Sequence, residues 1–200
     1  MATALLMGLI STNSLAAHQV AIQCAAATFM ITMGVGLATS VRVGQARGRG
    51  DSEGVARAGY TGIALSLVFM SFTAMFFWTF PRPIISLFFD LNNPANLPVI
   101  DIGVAMLGVA AVFQLFDGLQ VTAGGALRGL KDTRTPMLIG LISYWGFGMS
   151  SGLILAFVLD LGAIGLWWGL VIGLFVASIS LTYRFSRFTR AALLEPTEQL

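Results

Sequence analysis

Residues 42–57 read RVGQARGRGDSEGVAR, and residues 58–80 continue AGYTGIALSLVFMSFTAMFFWTF. A basic stretch carrying Arg42, Arg47, Arg49 and Arg57 gives way to 23 residues without a charge. At about 1.5 Å per residue, a helix of that length covers the roughly 30 Å hydrocarbon core of a bilayer. Backbone groups in lipid have no water to bond, so a segment that crosses must be helical. This stretch sets the fold class: an all-α, polytopic transmembrane helix bundle.

The same alternation continues outward from it. A second basic patch holds Arg128, Lys131 and Arg134, and a third holds Arg184, Arg187 and Arg190. Ten of the eleven Lys and Arg residues fall in the three patches, and Arg82 alone stands apart. Five apolar runs fill the intervals, at about 14–41, 58–80, 99–127, 136–159 and 163–183. Basic loops stay on the cytoplasmic side, so the pattern predicts orientation too: the three patches and the carboxy terminus face the cytoplasm. The 81–98 loop, with its Asn92-Asn93-Pro94 turn, and the Asp160–Gly162 turn are then external. Within that loop, Pro83–Phe89 has the composition of a short interfacial helix.

The domain reading is one transmembrane lobe over 1–190 and a short cytoplasmic tail over 191–200, mobile from Glu195 onward. Residues 1–10 are apolar but cover only about half a bilayer. They have no basic leader, so they do not read as a signal peptide. They read instead as the outer half of a truncated first helix, and the chain as a fragment of something longer.

Composition agrees with the membrane reading. Hydrophobic residues make up 56% and charged residues 10%, with a mean hydropathy of +0.85. A soluble domain carries about 25% charged residues. No basic stripe is interleaved with exposed aromatics, so nucleic acid is not an expected partner. One cysteine, Cys24, excludes an internal disulfide and a cysteine-based zinc cluster. One histidine, His18, argues against a His-ligated metal site and against histidine acid–base catalysis. No catalytic, cofactor or metal residues are expected, and the chain does not read as an enzyme.

Small residues and aromatics describe the packing. Gly165, Gly169 and Gly173 form one small-xxx-small ridge, and Gly148 and Gly152 form another, which lets helix backbones approach closely. Trp78, Trp167 and Trp168 fall near outer ends and Tyr60 and Tyr183 near inner ends, the places of an aromatic belt. Tyr144 and Trp145 lie mid-span. They read as packing against a neighbour or, alternatively, as an aromatic wall for organic cations.

Asp117 is the sharpest site. It lies about 15 Å from the cytoplasmic end of its run, near the bilayer midplane, where a carboxylate costs a few kcal/mol. Gln114 and Gln120 lie three residues to either side, making a polar stripe suited to a wet cavity. No Lys or Arg lies within a run to neutralise it. An unpaired carboxyl there can exchange a proton for a cation; a protonated acid bonded to a neighbouring helix is the plainer alternative. Asp101, near an outer end, reads as solvated by head groups. Gln19 and Gln23 share a face at i, i+4 and read as interhelical hydrogen-bonding groups or, alternatively, as solute contacts. His18 reads as a satisfied interfacial histidine.

Four motifs carry a resemblance. They are Leu15-Ala16-Ala17-His18-Gln19-Val20-Ala21, Arg42-Val43-Gly44-Gln45-Ala46-Arg47-Gly48, Gln114-Leu115-Phe116-Asp117-Gly118-Leu119-Gln120, and Gly125-Ala126-Leu127-Arg128-Gly129-Leu130-Lys131-Asp132-Thr133. In this order they resemble the second half of a multidrug and toxic compound extrusion (MATE) transporter, over essentially the whole chain. The resemblance implies a MATE-type carboxy-terminal lobe, five full spans behind a truncated first helix, in the plasma (inner) membrane. It implies efflux of small organic cations and xenobiotics by antiport with sodium ions or protons, without a cofactor. It implies that Asp117 is one acid of the coupling site, a second lying in a helix outside this sequence, and that the missing amino-terminal lobe is the chain's partner beside the lipid bilayer. A second reading within the superfamily is a lipid-linked oligosaccharide flippase. That function needs basic residues in the cavity to hold a pyrophosphate.

Overall fold

The computed structural model describes residues 2–194. Seven helices are numbered here in chain order: α1 (Ala2–Ile10), α2 (Thr12–Gly48), α3 (Ser52–Thr79), α4 (Pro81–Ser86), α5 (Leu97–Gly129), α6 (Arg134–Val158) and α7 (Gly162–Leu194). There is no strand among the described residues. α2, α3, α5, α6 and α7 are each long and apolar enough to cross a membrane, counting for α5 the short 3₁₀ turn Pro94–Asn96 that precedes it. The chain is an all-α bundle of these five helices. The residues 195–200 of the expected tail lie outside the described residues.

α2, α5 and α7 run past their apolar runs at both ends, because an end that leaves lipid still closes its own hydrogen bonds. α2 continues from Val41 to Gly48 through Arg42 and Arg47. It stops where Gly50 turns left-handed, at φ 71°, and Asp51 N–H reaches back to Ala46 O over 3.0 Å. Asp51 then caps α3, its carboxylate accepting from Gly54 N–H at 2.7 Å. α5 closes the same way. Lys131 takes the left-handed position at φ 60°, and Asp132 N–H bonds Leu127 O at 3.0 Å. Glycine is the usual residue at such a stop, because a Cβ crowds the following carbonyl.

Between α3 and α5 a short helix forms, but as Pro81–Ser86 rather than Pro83–Phe89. Pro81 starts it because a proline in the first turn loses no helical hydrogen bond. Ile84 and Ile85 from its inner face are buried against α5.

Close approach of glycines sets the helix pairing. The two ridges on α6 and α7 meet each other: a Cβ on Gly173 would lie 3.0 Å from Gly148 Cα, and one on Gly169 would strike Gly152. A second seam joins α2 to α5. A Cβ on Gly129 would lie 2.5 Å from Ser40 O, and one on Gly125 would strike Gly36.

Two expectations for single residues are corrected. Trp167 is not in an outer belt; it is fully buried, with edge contacts to His18 at 5.7 Å and Phe113 at 5.6 Å between ring centroids. His18 is accordingly buried rather than interfacial, and its Nδ1 has no hydrogen-bond partner among the described residues. Hydropathy places a tryptophan near a helix end, but the face it occupies is set by the neighbouring helices. Trp78 does lie exposed, its indole N–H donating to Gly108 O at 2.9 Å.

Candidate functional site

The apolar core is split in two. One cluster joins Met7, Ala21, Phe77, Ile85, Leu107, Ala111 and Trp167. The other, at the basic end, joins Val43, Val55, Ile63, Ala123, Leu127 and Phe185. In α5 the fully buried apolar residues of the two clusters stop at Ala111 and resume at Ala123. Asp117 lies in that gap, twelve residues before the end of α5 and so about 18 Å from it.

Other helices supply polar groups at this level. Thr28 and Thr32 come from α2, Ser66 from α3, Thr122 from α5 and Ser178 from α7, and Thr32, Ser66, Thr122 and Ser178 are fully buried. Thr32 and Ser178 donate to carbonyls on their own helices, at 2.9 Å to Phe29 O and 3.0 Å to Phe175 O. Ser66 and Thr122 bond each other across α3 and α5 at 2.5 Å. Hydroxyls satisfied in this way cross a membrane at little cost, and bonds between helices add roughly 0.6 kcal/mol each. The single sequence does not mark these hydroxyls; their only signal is that several fall at one depth.

Asp117 is half-buried, and its carboxylate has no hydrogen-bond or ion-pair partner among the described residues. Its two neighbours on the stripe diverge. Gln114, buried, faces α2, where its Oε1 lies 2.9 Å from the Thr28 hydroxyl. That hydroxyl has one proton and also reaches Ala25 O at 2.9 Å. Turning the Gln114 amide over, so that its NH₂ donates to Thr28, satisfies both bonds. In either orientation one buried amide atom of Gln114 has no partner among the described residues. Gln120 faces α6, where the Tyr144 hydroxyl donates to its Oε1 at 2.6 Å. Three residues turn a helix by about 300°, so the stripe fans across α5 with Asp117 between its two partners.

Tyr144 lies in a stretch of α6, Ile142–Met149, wound as wider π-helical turns. Such turns redirect side chains and recur at functional sites. Here they turn Tyr144 toward α5 and leave Trp145 exposed. Both residues line a cleft of about 430 Å³ against Thr3 and Leu6 of α1 and Leu166 of α7. Gln19 and Gln23 are exposed on α2 and make no bond to another helix among the described residues, against the interhelical bonding expected of them. The structure brings Gln114, Asp117, Gln120 and Tyr144 into one polar layer, sets Trp145 beside it, and leaves Gln19 and Gln23 apart. No cluster of metal-ligating side chains is present among the described residues.

The three basic patches gather at one end of the bundle. Arg47 of α2 donates to Leu130 O beyond α5. Arg184 of α7 pairs with Asp132 of the α5–α6 turn at 3.1 Å. Burial alone would raise the Asp132 carboxyl, but hydrogen bonds from Thr135 and Arg184, with the Arg184 charge, outweigh it and hold the group below the usual carboxylate range. Tyr60 of α3 reaches Thr189 of α7 at 3.3 Å.

Five crossing helices with charge held to the ends and a polar layer at mid-depth define a multi-pass membrane protein. This chain belongs to the MatE family, whose model matches residues 1–154. It is 45% identical over 186 residues to the probable multidrug resistance protein NorM of Brucella suis biovar 1 (strain 1330), covering 93% of this chain and 40% of that protein. It is 47% identical over 189 residues to a probable NorM of Deinococcus radiodurans, covering 94% and 42%. The chain therefore spans about 40% of the length of these curated relatives. In fold it is similar to the eukaryotic MATE transporter AtDTX14, with a TM-score of 0.82 at 22% identity over 94% of this chain and 43% of that one. An outward-facing multidrug resistance MATE family transporter of the MOP superfamily gives a TM-score of 0.84 at 19% identity, over 97% and 42%.

Proposed function

We propose that this chain is the carboxy-terminal lobe of a secondary active multidrug exporter, which expels organic cations in exchange for sodium ions or protons. It works with an amino-terminal lobe, in the plasma (inner) membrane, with its basic end and carboxy terminus in the cytoplasm. The observation that carries the reading is Asp117: a carboxylate without a partner, in the gap between two apolar cores. A single unpartnered carboxyl can carry a proton or hold a cation, but not both at once. Proton and cation therefore compete for one group, the minimum an antiporter needs. Gln120 and Tyr144 offer polar atoms beside it, and the adjacent cleft offers aromatic faces to an organic cation. A second lobe is needed so that the cavity can open to one side at a time. The multidrug resistance names of the relatives support drug export as the class of activity.

The flippase reading asks for basic groups among the crossing segments. The described Lys and Arg residues instead lie at the gathered basic end, with Arg82 at the other.

The test uses a chimera in which this chain replaces the matching part of a full-length relative. Asp117→Asn keeps shape and hydrogen-bonding capacity but removes the titratable charge. It abolishes gradient-driven efflux at near-normal abundance, while Asp101→Asn, exposed near the start of α5, changes efflux little. Normal efflux by the Asp117→Asn chimera refutes the assignment.

A further inference from the structure

A second cleft, of about 520 Å³, lies at the basic end, remote from Asp117, between α2 and α3. It is graded along its length. Its outer half carries Arg42 and Gln45 on α2, Arg49 just past the end of α2, and Arg57 on α3. Its deeper half is Val35 and Ala38 facing Gly62 and Leu65, with Thr39 and Thr61 between. From Val35 to Arg49 the wall is about 21 Å long by helix rise.

The charges are not balanced from within. Asp51 is 3.9 Å from Arg49 and also caps α3, and Glu53 lies in the first turn of α3. Arg42 and Arg57 are exposed and have no ion-pair partner among the described residues. A cleft that is cationic at the water boundary and apolar toward the membrane interior matches an amphiphile with an anionic head. A free phosphate would use only the outer half.

We propose that this cleft binds an anionic phospholipid. Arg42 and Arg57 hold the phosphate, and one acyl chain lies along Ala38 and Leu65. The site is separate from Asp117 and does not depend on which ion drives transport.

Native mass spectrometry of the chain in mild detergent, titrated with phosphatidylglycerol or phosphatidylcholine, tests it. The chain retains phosphatidylglycerol in preference to phosphatidylcholine. R42Q/R57Q loses that retention by roughly tenfold or more, whereas R187Q/R190Q, two exposed arginines outside the cleft, keeps it. Ala38→Trp fills the deeper half and leaves every arginine in place; it also loses the lipid. Circular dichroism of each variant confirms the helices. Undiminished retention by folded R42Q/R57Q overturns the proposal. Retention by Ala38→Trp, with displacement by inorganic phosphate, means a bare anion site and overturns it as well. So does loss of binding in the two-lobed chimera, which would assign the cleft to the other lobe.

Discussion

The Tyr144 hydroxyl of α6 donates to Gln120 Oε1 of α5 at 2.6 Å, one turn along α5 from Asp117. The bond ties the π-helical stretch of α6 to the helix that carries the acid. Tyr144→Phe removes the donor and keeps the ring. Bonds of this kind between membrane helices contribute about 0.6 kcal/mol, so thermal stability in detergent falls only slightly. Gln120→Leu has a similar effect, and the double variant is no worse than the worse single, because both remove the same bond. Additive losses would show that the two side chains act separately. In the chimera, Tyr144→Phe reduces efflux several-fold while abundance is kept.

The interlocked glycines of α6 and α7 allow almost no growth. Gly169→Ala places a methyl against the Gly152 backbone, where no flexible side chain can yield. A loss of about 1–3 kcal/mol is expected from such overpacking, seen as a clear drop in apparent Tm. Gly34, in the middle of α2, has open space where a Cβ would go. Gly34→Ala is neutral or slightly stabilising, since alanine is favoured over glycine in a helix by up to about 1 kcal/mol.

These glycines also mark what a single sequence discloses. The ridge on α7 and the one on α6 were visible as spacings, and they pack on each other. The Gly36, Ser40, Gly44 spacing on α2 and the Gly125, Gly129 pair on α5 were equally in view, yet nothing in the pattern says which helix meets which. The crossing segments were legible because charge is so costly in lipid that it segregates to their ends. Asp117, Gln114 and Gln120 stood out for the same reason. Thr28, Ser66 and Thr122 did not, because a hydroxyl can bond its own helix and so passes as apolar. The burial of Trp167 is not legible in the same way, because position along a helix is readable and the buried face is not.

The left-handed stop at Lys131 offers a gain. Its counterpart after α2 uses Gly50 for the same closure. Lys131→Gly relieves the Cβ crowding and stabilises the chain by up to about 1 kcal/mol. The matching Gly50→Lys is destabilising. Thermal unfolding of the pair in one detergent reads both signs.

Asp132 makes the basic end acid-sensitive. Its carboxyl is held below the usual range, so the folded state favours the ionised form. The stability this contributes is present above the unfolded pKa of about 3.9 and is lost as pH falls through the lower folded value. Arg184 is nearly half exposed, which limits the pair to about 0.5–1 kcal/mol. Asp132→Asn is therefore less stable than the parent at pH 7, and the gap closes below about pH 4. A gap that persists unchanged at pH 3 would show that the charge of Asp132 is not its source.

Orientation is open to direct labelling. The proposed orientation puts the gathered arginines in the cytoplasm, because basic loops resist translocation. Asn93, in the exposed loop between α4 and α5, lies at the opposite end from Ser52 and Ser186. The one native thiol, Cys24, is half-buried within α2 and is first replaced by alanine. Single cysteines at 52 and 186 then react with a membrane-impermeant maleimide only after the cytoplasmic side is opened, while one at 93 reacts in intact cells. The positions 52 and 186 come from different helices, α3 and α7, whose ends meet through the Tyr60–Thr189 bond. They must therefore label from the same side. Opposite labelling of the two would contradict the packing of the basic end, and labelling of both from outside would invert the orientation while leaving the bundle intact.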